Sequence, residues 1–310
     1  MHASDQATNR KRVLFHRDYR TLTGGHLKLR DYFGYLRDSA AFDPFLFLTP
    51  DSARDHVWPG EALVERYDPS AADMLFIAGL DWHALAPFRG IEETMPVINL
   101  IQGMRHATPD DPRYAFLSRR AIRLCVSEAV GEALRASKRC NGPVHVIPIG
   151  VDFNEIPQRR ELMHDVFIAG LKRPALARIL CNLLRARGLA VDCLTVPVAR
   201  PDFLSRMAVA KVAVTLPLDM EGAFLPALEA MVVGCALVCP DCIGNRGFCI
   251  DKVTAWMPDY TPEALAAAVI ALLDDPPRAQ ALVAGAAEMA KLHSLANERR
   301  AFLNILEKIA

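Results

Sequence analysis

The chain has 310 residues, enough for two domains on a prior of roughly 150 residues each. A content of 52% hydrophobic and 23% charged residues suits a globular protein with a substantial core, and eight cysteines are too sparse for a disulfide scaffold. Thirty-six basic residues balance thirty-six acidic ones, so no overall field argues for nucleic acid, although a local basic pocket stays open.

The opening MHASDQATNRKRVLF is polar and has no apolar h-region, so it does not read as a secretory signal. The longest apolar runs, such as 264–273, are too short to span a bilayer. A reducing cytoplasm is expected, with free cysteines serving mostly as small buried hydrophobes. Residues 13–15 form a short apolar strand, followed by a loop with Thr23-Gly24-Gly25. A helix is expected over 26–38, where Leu27, Leu29, Phe33 and Leu36 keep an approximate helical period. Strands are expected at 45–48, 73–79, 97–101 and 122–126, then a helix at 128–137 and a strand at 144–147.

Pro148-Ile-Gly-Val-Asp ends that series, and the polar stretch 154–161 marks a boundary. The alternation restarts with strands at 165–169, 191–195, 212–216 and 236–239. Helices at 174–187, 202–209 and 226–233 separate them, and helices at 262–273, 277–292 and a last segment to 309 close the chain. Strands alternating with helices indicate βαβ units and largely parallel sheets. The expected organisation is two doubly wound α/β domains, 1–153 and 154–292, with a C-terminal helix in 293–310 packing back toward the first. Ligands of such folds sit at the carboxyl ends of the strands, here facing a cleft between the domains.

The run E-G-A-F-L-P-A-L-E places Glu221 and Glu229 eight positions apart. Glu221 follows a strand end, and Glu229 lies one turn into a helix that Pro226 can start. The loop 222–225 thus leads into a helix N-terminus, whose free N–H groups favour an anion. Two acids beside an anion site suit a ligand with both phosphate and hydroxyls, such as a nucleotide sugar. On these two glutamates alone, a solvated loop acid and an ordinary helix-surface charge are the simpler account.

The longer run from Glu221, E-G-A-F-L-P-A-L-E-A-M-V-V-G-C-A-L-V, closely resembles the donor-binding segment of family 4 glycosyltransferases. That family's pattern is E-G-F-G-L-P-x-L-E-A-M-A-x-G-x-P-V-V, followed by a Gly-rich turn. Residues 146–153, V-I-P-I-G-V-D-F, resemble its inter-domain I-P-N-G-V-D, preceded here by the Val126-Ser127-Glu128 strand end. Thr23-Gly24-Gly25 is similar to its N-terminal Gly-Gly loop. Three weak motifs in the right order at domain-scale spacing cover most of the chain. The resemblance implies the GT-B fold, two Rossmann-like domains facing each other across a cleft, and a retaining, metal-independent transfer of a sugar from a nucleotide diphosphate to a hydroxyl.

By that resemblance Glu229 meets the ribose hydroxyls, an apt contact for a carboxylate, and Glu221 the donor sugar near the reacting carbon. The backbone N–H groups of Gly222, Ala223, Phe224 and Leu225 face the sugar or diphosphate, although the family's second glycine is missing. In place of the family's G-R-x-x-x-x-K-G the chain has Ala169-Gly170-Leu171-Lys172-Arg173-Pro174, so Lys172 and Arg173 are assigned to the diphosphate. Gly24 and Gly25 let backbone approach the phosphate. His106 is the candidate for a cleft histidine touching the donor sugar, with Gln102 and Arg105 beside it. His16-Arg17-Asp18-Tyr19-Arg20 could meet an acceptor, and Trp58 or Trp82-His83 could stack on a sugar; a solvated loop and domain packing are the competing accounts. Gly247 stands where the family usually has a glutamate.

Cys235, Cys239, Cys242 and Cys249 cluster after this segment, with a single C-x-x-C. A zinc site would need all four to converge, and no second C-x-x-C follows, so no metal or other cofactor is expected. The expected partners are a nucleotide-sugar donor and a glycan, lipid-linked or small-molecule acceptor. No nucleic acid is expected, and peripheral membrane contact and oligomeric state are left open. The competing functions are a GT-B nucleotide-sugar epimerase, for which cleft carboxylates and histidines are sparse, and a catalytically weak sugar-nucleotide-binding module.

Overall fold

The structure is a computed structural model that describes residues 10–54 and 58–309. Most of the polar opening considered for a signal lies outside the described residues. The chain divides into two compact units: one runs to Ile147 and resumes at Glu298, and the other is Pro148–Asn297.

In the first unit the order is β1 (Lys11–Arg17), α1 (Gly24–Arg37), β2 (Phe42–Leu48), β3 (Leu63–Val64) and β4 (Met74–Ala78). Then follow α2 (Ile91–Thr94), β5 (Val97–Ile101), α3 (Pro112–Ala115), β6 (Ile122–Cys125), α4 (Glu128–Ala136) and β7 (Val144–Val146). The strands pair in parallel in the order β3-β2-β1-β4-β5-β6-β7. The strand sequences MLFIA and VINLI are buried at every position, as parallel strands covered on both faces require. Phe15 stacks on Phe76 at 4.4 Å and meets Phe33 edge-on at 5.2 Å; Leu14, Leu75, Ile77, Trp82 and Leu85 form a second cluster. β3 is two residues long, too short to carry an alternation visible in sequence.

In the second unit the order is β8 (His164–Ala169), α5 (Pro174–Arg185), β9 (Val191–Leu194), α6 (Arg200–Ala208), β10 (Ala210–Thr215) and α7 (Leu225–Val233). β11 (Ala236–Val238), α8 (Pro262–Asp274), α9 (Pro276–Leu292) and the start of α10 (Leu295–Leu306) complete it. The parallel sheet has the order β11-β10-β8-β9. Its core is aliphatic: Val166, Ile168, Val212 and Val214 of the sheet pack with Leu180, Leu184, Leu265 and Val269 of the helices. Within this unit Val151 bridges Ser294, and the His293 imidazole lies 2.8 Å from the Ile149 carbonyl. A Cβ on Gly150 would sit 2.7 Å from the Ser294 carbonyl oxygen, so the G of the I-P-I-G-V-D run is set by backbone approaching backbone.

From Glu298 onward α10 belongs to the first unit, where Phe302 meets Tyr32 edge-on at 4.7 Å. The buried Glu298 carboxylate pairs with Lys28 and accepts a hydrogen bond from the Tyr35 hydroxyl at 2.9 Å. A lysine that is 1% exposed is retained there only because it is paired. No helix among the described residues is long and apolar enough to cross a membrane.

Candidate active site

Strand order in the second unit reverses between β8 and β10: the chain leaves β8 for β9 on one side, while β10 pairs with its other side. Loops that leave neighbouring strands on opposite sides of a sheet open a crevice at their carboxyl ends. The two loops here are 170–173 and 216–224. The first turns tightly, since a Cβ on Gly170 would lie 2.2 Å from the Ala177 Cβ, and it delivers Lys172 and Arg173 to the start of α5, which Pro174 opens.

Lys172 Nζ lies 2.5 Å from Glu221 Oε1 and 5.2 Å from the centre of the Phe224 ring. The same Glu221 oxygen accepts from the Leu218 N–H at 3.2 Å, which fixes the carboxylate against its own loop. Arg173 pairs with Asp219 at 2.9 Å and lies 5.2 Å from the Tyr260 ring centre. Tyr260 in turn donates to the Pro217 carbonyl at 2.5 Å and closes the loop from outside. Lys172 and Arg173 are the sequence-assigned cations, and the fold sets each against a carboxylate of the facing loop. The twelve-residue α5 and nine-residue α7 start from the two loops, adding their N–H-rich ends to the positive charge. Neither helix has a side-chain cap, so those N–H groups are not claimed by a capping oxygen. Gly222, Ala223, Phe224 and Leu225 lead into α7 as expected from the sequence, with Phe224 as its N-cap.

Glu229 lies on α7, whose other residues are apolar and nearly all of whose positions are buried. It is 2% exposed, and its Oε1 is held by Arg200 Nη1 at the start of α6. Arg200 Nε also reaches Glu155 Oε2 at 3.3 Å. Burial raises the Glu229 carboxyl above the ordinary range, and Arg200 opposes that shift. Burial pulls the Arg200 guanidinium down, but Glu229 and Glu155 more than restore it, so its net shift is upward. Nothing in the spacing of Arg200 and Glu229 along the chain marks them as partners; only the packing of α6 on α7 brings them together.

The turn that follows β11 explains the cysteines. Asn245 is fully buried and pins the turn: its side-chain oxygen accepts from the Cys242 N–H at 3.1 Å, and its amide donates to the Pro240 carbonyl at 2.9 Å and to Cys239 Sγ at 3.2 Å. Cys235, Cys239, Cys242 and Cys249 are free and buried. Among the described residues no group of three or more His, Cys, Asp or Glu side chains could hold a metal. Burial raises the Cys242 thiol to about 12, the behaviour of a packed, unreactive cysteine. The turn backs directly onto the acidic loop. Gly244 O accepts from the Phe224 N–H at 3.0 Å, and a Cβ on Gly244 would sit 2.8 Å from the Glu221 Cβ. A Cβ on Gly247, by contrast, would meet nothing within 4 Å, and Arg246 pairs outward with Asp241.

In the first unit the strand order reverses between β1 and β4, and the loops after them carry a second polar group. Asp81 is buried and accepts from Arg17 Nη1 at 3.0 Å and from the Ala78 N–H at 3.0 Å, and His16 Nδ1 lies 3.1 Å from its other oxygen. Sequence offers His16 and Arg17 as solvated loop residues or acceptor contacts; Asp81, their anchor, gives no signal there. Gly24 and Gly25 form the first turn of α1, with Thr23 as N-cap accepting from the His26 N–H. Gln102 donates to the Gly25 carbonyl at 2.8 Å, and its side chain lies 3.1 Å from where a Gly25 Cβ would be. His106 is 6% exposed, with Nδ1 3.2 Å from the Gly103 carbonyl, and burial lowers its pKa to about 4. Trp82 and Trp58 are core residues, which corrects the reading of either as a sugar platform. Trp82 donates to Asn99 at 3.2 Å and stacks on Phe116, and Trp58 meets Tyr19 and Phe33 edge-on.

Each unit has its switch point at the carboxyl ends of a parallel sheet, and the fold is GT-B. Residues 165–289 match the family model described as glycosyl transferases group 1. Sucrose-phosphate synthase from Thermosynechococcus elongatus superposes with a TM-score of 0.74 at 13% identity, covering 97% of this chain and 99% of that one. HepE from Anabaena in complex with UDP superposes with a TM-score of 0.75 at 15% identity, covering 96% and 100%. A glycosyltransferase from Rickettsia africae gives 0.71 at 12% identity, covering 97% and 99%. By sequence the chain matches no curated protein.

Proposed function

We propose that the protein transfers a sugar from a nucleotide diphosphate sugar to a hydroxyl acceptor, with retention at the reacting carbon and without a metal ion. The observation that carries this reading is the pairing of Lys172 with Glu221 at the switch point of the second unit, with Arg173 and two helix N-termini on the same loops. The HepE structures in complex with UDP and with UDP-glucose support a nucleoside diphosphate as the leaving group.

In this reading the donor diphosphate displaces the carboxylates now facing Lys172 and Arg173. As the bond from the sugar to the diphosphate breaks, negative charge grows on the departing oxygen, and the ammonium, the guanidinium and the uncapped N–H groups meet it. Fixed cations at that point take the place a divalent ion fills in other diphosphate-releasing enzymes. Glu221, released from Lys172, turns to the sugar hydroxyls, and Glu229 accepts from the ribose. Retention follows if the acceptor attacks from the face the diphosphate leaves.

The test incubates the protein with UDP-, GDP- and ADP-sugars and measures released nucleoside diphosphate, with and without EDTA. Release from one donor class, insensitive to EDTA and lost in Glu221→Ala and Lys172→Met, is expected. Absence of binding and turnover across the panel would leave the fold without this activity, and an EDTA-sensitive rate would remove the metal-free mechanism.

A further inference from the structure

α7 is almost entirely buried, and its sequence LPALEAMVV has a single ionisable residue. A carboxylate that is 2% exposed in a helix of this kind is costly unless it is paired. Its partner, Arg200, comes from the first turn of α6 and keeps 22% of its side chain open to solvent. Arg200 binds two carboxylates at once, Glu229 through Nη1 and Glu155 through Nε. A planar guanidinium can do this and an ammonium cannot do it with the same geometry.

We propose that Arg200 is a positioning residue for the donor site: it holds Glu229 ionised and in one orientation, so that the ribose diol meets a charged acceptor rather than a neutral acid. This rests on the nucleotide-sugar reading above. The charged groups acting on Glu229 are Arg200 from α6 and Glu155 from the turn at 152–156. The other cations of the elements packed on α7 are engaged elsewhere: Arg206 of α6 with Asp192, Lys211 of β10 with Asp165, Lys291 of α9 with Glu288, and Arg278 of α9 with Asp275. Among the described residues Arg200 is therefore the cation acting on this carboxylate, while Glu155 pushes the other way and is itself neutralised by the same guanidinium.

Removing the guanidinium leaves burial unopposed, and Glu229 then stays protonated at pH values where the intact protein keeps it charged. A folded-state pKa raised above the unfolded value favours the fold at low pH, and that advantage is lost as pH rises through the folded value. Arg200→Met should therefore melt progressively lower, relative to the unaltered protein, as pH rises above the ordinary carboxylate range, followed from about pH 5 to 9.

The experiment has a ligand-free arm and a ligand arm, both on the full chain. Thermal melts over that pH range are taken for the unaltered protein, Arg200→Met, Arg200→Lys and the double variant Arg200→Met/Glu229→Gln. Measured as the difference from the unaltered protein, the expected result is a melting temperature that falls with pH for Arg200→Met and a level difference for the double variant. If Arg200→Met does not fold, recovery of folding in the double variant is the expected result, and a double variant that is also unfolded overturns the proposal. An Arg200→Met profile parallel to that of the unaltered protein overturns it as well.

In the ligand arm UDP, GDP and ADP are titrated at about pH 6 and about pH 8.5. The nucleotide that binds should bind Arg200→Met roughly tenfold more weakly at the lower pH, the loss of one hydrogen bond to a charged group, and the deficit should narrow at the higher. Arg200→Lys should recover part of the loss at the lower pH. Equal affinity there sinks the positioning role. If the unaltered protein binds none of the three nucleotides, the donor reading and the ribose role fail together, and the melts alone then decide whether Arg200 holds Glu229 ionised.

Discussion

Replacing Gly244 with alanine tests whether the turn after β11 is the back wall of the acidic loop. The added Cβ would lie 2.8 Å from the Glu221 Cβ and 2.9 Å from both the Glu221 carbonyl carbon and oxygen. None of these atoms is the free end of a flexible side chain, so the turn must retreat. Retreat lengthens the 3.0 Å bond from the Phe224 N–H to the Gly244 carbonyl, which aligns the loop with the start of α7. The lost hydrogen bond costs about 1 kcal/mol and the overpacking about 1–3 kcal/mol, roughly 2–4 kcal/mol together. For a cooperative unit of this size that is a fall in Tm of roughly 5–15 °C. The matched control is Gly247→Ala, three residues on, where the new methyl meets nothing within 4 Å. Thermal unfolding reads the stability, and nucleotide titration reads the displacement of Glu221. Gly244→Ala melting within a degree of the unaltered protein, or Gly247→Ala proving as damaging, would refute the argument that backbone contact sets this glycine.

Lys172→Met should lower turnover by about 10²–10³-fold, the cost of removing one fixed group from a developing charge, while changing Tm little because the side chain is partly exposed. A rate within threefold of the unaltered protein would remove Lys172 from the mechanism. A thiol reagent should label Cys140 and Cys193 first in the folded protein, because the other six cysteines are buried, and all eight after unfolding. Early labelling of Cys239 or Cys242 would contradict the packed turn. His106 is buried with its pKa lowered to about 4, so the folded chain resists a proton that the unfolded chain accepts near pH 6.5. Its contribution is present above about pH 6.5 and lost as pH falls toward 4, by roughly 3 kcal/mol, and His106→Gln should flatten that part of the acid limb in a pH series of urea melts.

The fold is legible in the sequence because parallel strands buried on both faces leave unbroken apolar runs, and MLFIA, VINLI and VFIA announce themselves without context. The polar stretch after residue 153 suggests a boundary there, yet the division falls after Ile147, since the segment 148–151 is held by His293 and Ser294, far along the chain. Lys172, Arg173, Glu221 and Glu229 are also visible in sequence, because helix starts and strand ends have local signatures: Pro174 and Pro226 each mark the first turn that follows a loop. Residue types and their order along the chain thus determined the class of fold and which loops carry charge.

Tertiary structure alone decided which charges meet. Glu221 faces Lys172 and Arg173 faces Asp219 because β8 and β10 lie side by side, and Glu229 faces Arg200 because α6 packs on α7. Asp81 is silent in sequence for the same reason, its partners His16 and Arg17 lying one strand away in the sheet but far along the chain. The Trp82 ring and the C-x-x-C look functional as strings and prove to be packing, because a string records which side chains are present and not which of them burial removes from solvent. Periodicity and punctuation are local properties that a chain carries openly, whereas pairing across strands and helices exists only once the sheet order is set.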